Sequence, residues 1–69
     1  MITELWAIVV VGDDGKEEGI AKYPMSDEVM LAVDTDARDK IVADARRCNG
    51  IWQKSLRLAR FEMKGKATI

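Results

Sequence analysis

The sequence predicts a small α+β domain, a three- to four-stranded sheet with one helix on one face, in the order β-β-(β)-α-β. Three observations carry this. A β-branched run, Leu5–Val11, ends at the turn signal Gly12-Asp13-Asp14-Gly15; one later stretch, Ala37–Cys48, has helical spacing; and a further apolar run follows Asn49-Gly50. Sixty-nine residues accommodate one domain, 1–69, and neither a repeat nor a low-complexity tract divides it.

The first run reads as strand because it is short and rich in valine and isoleucine. Asp14-Gly15 supplies a hairpin turn, with glycine free to take positive φ. Glu17–Tyr23 then returns as a second, more polar strand that Pro24 stops. Glu28–Val33 is a third short strand. Asp34, Thr35 or Asp36 N-caps a helix whose face is Ala37, Ile41, Ala45 and Cys48, at spacings of four, four and three. Arg46 and Arg47 suit its last turn, and Asn49-Gly50 is a left-handed stop. Ile51–Lys64 is the last strand. Trp52, Leu56 and Leu58 share one parity, and Ala59, Phe61 and Met63 share the other. Such a pattern means either a bulge near Ala59-Arg60 or cover on both faces.

Composition excludes several classes. A chain this short buries only about 60% of its unfolded surface, and disulfides, metals or partner subunits commonly supplement such cores. Cys48 is the single cysteine and histidine is absent, which removes an internal disulfide and the commonest catalytic and zinc-binding side chain. Asp34, Asp36 and Asp39 lack the glycine and terminal glutamate of a calcium loop. Ser26 and Ser55 lie in no nucleophile motif, and Cys48 sits on the apolar helix face. Gly12, Gly15 and Gly19 lack the strand–loop–helix context of a phosphate loop. The reading is therefore a non-enzyme with no cofactor and no metal. Glu4 stands where a secretory signal needs base, and the apolar run is too short for a membrane span, so a cytoplasmic location is expected.

The first strand is apolar on both parities, Leu5, Ala7, Val9 and Val11 against Trp6, Ile8 and Val10, while one helix covers one face. This predicts a homo-oligomer, with Trp6, Ile8, Val10, Phe61 and Met63 as candidate self-contacts; loops folding over the second face are the other solution. Charge is divided as well. Residues 1–39 carry a net −7 and residues 40–69 a net +6, within a total of −1. Acids and bases can face each other across the sheet. Alternatively Arg46, Arg47, Lys54, Arg57 and Arg60, with Trp52 as a stacking surface, form a basic patch for a phosphorylated ligand or an acidic partner. Nucleic acid is the weakest target, because the chain is not basic overall.

Glu18-Gly19-Ile20-Ala21, Met30-Leu31-Ala32-Val33-Asp34, Ile41 and Ala45, Asn49-Gly50 and Leu56-Arg57-Leu58-Ala59-Arg60-Phe61 together resemble small accessory proteins encoded by bacteriophages, especially those of actinobacteria. The likeness spans most of the chain, with Arg-Leu-x-Arg-Phe its most distinctive string, and Ala59 stands where a larger aliphatic residue is expected. It implies action in the host bacterial cytoplasm by binding. The leading expectation is occupation of a host protein surface, as a counter-defence inhibitor does. Sequestration of a phosphorylated nucleotide signal and a role in virion structure or assembly are the alternatives.

Overall fold

The computed structural model describes residues 2–52, 54–65 and 67–68, with Ile51 and Trp52 in backbone only. The described elements follow the predicted order: β1 (Glu4–Val11), β2 (Glu17–Ile20), β3 (Leu31–Ala32), α1 (Thr35–Trp52) and β4 (Ser55–Glu62). They form one α+β unit, a helix on a small open antiparallel sheet.

β1 lies at the centre. One edge pairs with β4 without interruption, from Glu4↔Glu62 to Val11↔Ser55. The other edge is divided between β2, which takes Val9–Val11, and β3, which takes Trp6 and Ala7. Ile8 is the junction: its carbonyl accepts from the Ala21 N–H at 2.7 Å, and its N–H donates to the Met30 carbonyl at 3.1 Å. This division shortens the strands expected over Glu17–Tyr23 and Glu28–Val33. The chain must leave β1 at Ala21 so that β3 can occupy the same edge, and beyond that point Lys22 bridges Val29 instead. Pro24 and Met25 turn that excursion, Met25 at φ 58°, with the Ser26 N–H donating to the Tyr23 carbonyl at 3.3 Å.

The first hairpin turns as its residues require. Gly15 takes φ 80°, and the Asp14 carboxylate accepts the Lys16 N–H at 3.0 Å. The register slips between Val10 and Val11, which puts the bulge here and not near Ala59-Arg60. β4 has an unbroken register, so its two apolar parities face two different environments.

Asp34 is the cap of α1, its Oδ1 accepting the Ala37 N–H at 2.7 Å. Asn49-Gly50 does not stop the helix. Gly50 keeps a helical φ and α1 runs on to Trp52, so Arg46 and Arg47 fall before the last turn. Asn49 acts one step later, its side-chain oxygen accepting the Lys54 N–H at 2.9 Å where the chain leaves for β4. The last strand accordingly starts at Ser55 instead of Ile51 and ends at Glu62.

Ile41, Ala45 and Cys48 pack on Ile8, Ala21, Met30 and Ala32 to form the core, with Trp6, Val10 and Leu56 around it. The helix therefore covers the even parity of β1. Trp6, Ile8 and Val10, expected as self-contacts on an open face, are under α1, because their alternation points them to the side where the helix lies. The open face belongs to the other parity, and Phe61 and Met63 are on it.

Candidate functional site

Three features deserve comparison: the sheet face opposite α1, a groove beside β4, and a charged node on the helix. Strand alternation places Leu5, Ala7, Val9 and Val11 of β1, Ile20 of β2, Leu31 of β3, and Ala59 and Phe61 of β4 on the opposite face. Ala7 and Val9 are buried by their neighbours alone. Around them Ile20, Leu31, Phe61 and Met63 remain 43–47% exposed. Among the described residues no second layer covers this face.

Its charges are few and mostly matched. Arg57 and Glu17 flank β1 on opposite sides, and the Arg57 guanidinium reaches the Glu17 carboxylate at 3.4 Å, so the pair forms a strap across Val9 and Val11. Lys22 lies at the rim. Ser55, opposite Val11, and Thr3, opposite Met63, add hydroxyls at its two ends, and the middle of the face is apolar.

The groove lies on the helix side, between α1 and β4. Val42, Ala45, Arg46 and Asn49 form one wall, Leu56 and Leu58 the other, and Ile8 the floor, around a volume of about 270 Å³. It exists because α1 packs mainly over the β1–β3 side of the sheet and touches β4 only lightly, through Leu56. Leu58 is 43% exposed as a result.

The node is Asp44, a nearly buried carboxylate on α1. The Tyr23 hydroxyl donates to it at 2.7 Å, Lys40 Nζ at 3.1 Å and Arg47 Nη2 at 2.6 Å. The hydrogen bonds from Tyr23 and then Lys40, with the charges of Lys40 and Arg47, hold its carboxyl below the usual range, while burial and the same carboxylate push the Tyr23 hydroxyl up. Lys40 also sits 5.7 Å from the Tyr23 ring centre. With both carboxylate oxygens engaged, the node reads as a clamp between the helix and the 22–29 turn.

The predicted basic patch is distributed. Arg47 is held by Asp44. Arg57 joins Glu17 on the face opposite α1. Arg60 is on the helix side, bidentate to Glu4 through Nε at 3.0 Å and Nη2 at 2.9 Å, with Glu62 also at 2.9 Å. The Glu4 carboxyl is lowered and the Arg60 guanidinium raised by this pairing. Arg46 borders the groove, and Lys54 lies near Val10 at the other end of β4 from Arg60. The Trp52 side chain lies outside the described residues. Arg46 and Arg57 do border one groove, yet the five bases do not converge on a common anion site.

Among the described residues no three potential ligands gather as a metal site, and no helix is long and apolar enough to cross a membrane. Sequence reasoning missed the Asp44 clamp; Lys40 and Arg47 at i−4 and i+3 were the available signal. No family model matches the chain, and comparison with curated proteins and with solved structures likewise returned no match.

Proposed function

We propose that the chain is a non-enzymatic binding protein of the phage accessory type, which acts in a bacterial cytoplasm by laying its open sheet face on the surface of a host protein. The carrying observation is that face. Three strands at roughly 4.8 Å spacing and about eight residues of ~3.4 Å rise give a surface on the order of 400 Å², within the range of apolar patches that mark interaction sites. Its one ion pair is internally satisfied, so burial against an apolar partner leaves neither Arg57 nor Glu17 without a counter-charge. A phosphorylated ligand has less to hold it, since three of the four arginines in the predicted patch, Arg47, Arg57 and Arg60, are engaged by Asp44, Glu17, Glu4 and Glu62.

Immobilised protein should retain one stoichiometric protein from bacterial lysate. The double variant Leu31→Glu with Phe61→Glu, both at exposed positions, should lose it while its circular dichroism stays that of the parent. Undiminished retention by the folded double variant, or no retained protein at all, would overturn this reading.

A further inference from the structure

The edge of β4 supports a separate inference, independent of the host-protein reading. The Met63 N–H donates to the Thr3 carbonyl at 3.0 Å, and Thr3 is opposite Met63 when the β1–β4 register is extended by one residue. Odd positions of β4 therefore direct their backbone groups at β1, and alternation turns the N–H and C=O of Leu56, Leu58, Arg60 and Glu62 outward. Among the described residues nothing receives them. This edge is eight residues long, with neither proline nor bulge, whereas β2 and β3 on the far side have four and two residues. Long regular edges pair with other strands unless they are interrupted or covered.

We propose that β4 pairs antiparallel with β4 of a second copy, about a two-fold axis at Leu58, to make one continuous sheet with both helices on the same side. Parity restricts the registers, because even positions must meet even positions for each face to stay on its own side. Centring on Leu58 sets Leu58 against Leu58 of the second copy, Leu56 against Arg60, and Lys54 against Glu62, so opposite charges meet twice and like charges never stand directly across. Centring on Ala59 instead sets Glu62 against Leu56 and leaves Lys54 without that partner. The Leu58 register also brings an apolar side chain to the mouth of each α1–β4 groove, where Leu58 is otherwise half exposed. A second copy is the occupant that matches edge, groove and charge together.

The test is the solution mass of the full chain by analytical ultracentrifugation at about 100 μM, with twice the chain mass expected. Leu58→Pro removes no internal hydrogen bond, since that N–H points outward, and should give a folded monomer. Lys54→Glu and Glu62→Lys should each weaken the dimer about fivefold, and the two together should restore it. Under oxidation Leu58→Cys should give a covalent dimer, because hydrogen-bonded partners place their Cα atoms about 5.5 Å apart, within disulfide range. Buried Cys48 takes no part. A monomeric parent, a dimer that survives Leu58→Pro, or cross-linking of Phe61→Cys in place of Leu58→Cys overturns the proposal. Leu31→Glu with Phe61→Glu should leave the mass unchanged, so failure of this interface and failure of the host-protein reading give different results.

Discussion

Asp44 gathers three side-chain partners, Tyr23, Lys40 and Arg47, and the consequence is a dependence on pH. Its carboxyl titrates below the usual range in the folded chain, so on acidification the unfolded chain takes up that proton first. The clamp's contribution is complete at neutral pH and is lost as pH falls from about 4 through the native value. Thermal melts across pH 2–7 should show this acid limb in the parent and a flatter one in Asp44→Asn. Tyr23→Phe removes one hydrogen bond to a charged acceptor and should cost about 1.5 kcal/mol at neutral pH by chemical denaturation. Half of this was legible in the sequence. Lys40 and Arg47 stand at helical spacing from Asp44, but Tyr23 is 21 positions away and only the fold brings it there. The cap at Asp34, by contrast, depends on contacts three residues apart, and the sequence narrowed it to three adjacent candidates.

The elements divide along the same line between local and distant causes. Asp14-Gly15 turns as its own chemistry demands, whereas Asn49-Gly50 does not stop the helix, because Gly50 tolerates helical geometry and the chain needs two further residues before the return to β4. Gly50 has a helical φ, and an added Cβ would meet nothing within 4 Å. Gly50→Ala should therefore stabilise the protein by about 0.8 kcal/mol, read as a rise of several degrees in Tm. Gly15→Ala, at φ 80°, is the control that should destabilise. The split edge of β1 was beyond sequence reasoning. Apolar runs specify that Glu17–Tyr23 and Glu28–Val33 can be strands, but not that both must share one edge and give up residues to do so. The same limit applies to Leu56–Met63, where two apolar parities in one strand are compatible with a bulge or with two surroundings, and only pairing with β1 decides between them.

At the scale of the whole molecule the charge asymmetry closes on itself in part. Acidic β1 and β2 lie beside basic β4, and Glu4–Arg60 and Glu17–Arg57 join the two halves of the sequence across the sheet. Exposed pairs of this kind contribute little each. Their greater effect is to remove arginines from a ligand site and to leave the open face nearly neutral. A hydrophobic dye such as anilinonaphthalene sulfonate should accordingly fluoresce with the native protein, and Leu31→Glu with Phe61→Glu should reduce the signal by more than half at unchanged Tm. Residue parity identified Phe61 and Met63 as candidates for such a face but could not say on which side the helix would lie, so Trp6, Ile8 and Val10 were assigned to the wrong one.

The unbroken pairing of β1 with β4 also sets the order in which this chain can be made. The central strand is synthesised before its longest partner, which follows some fifty positions on, with most of the core between them. Closing a loop of that length comes before the contacts that reward it, so folding should be slower than that of a helical bundle of equal size. On the ribosome β1 can hold only the β2 hairpin and then β3, and its other edge stays open until Ser55–Glu62 has emerged. During that interval an apolar strand with a free edge is exposed to solvent, where it can pair with other extended chains before its own partner is made.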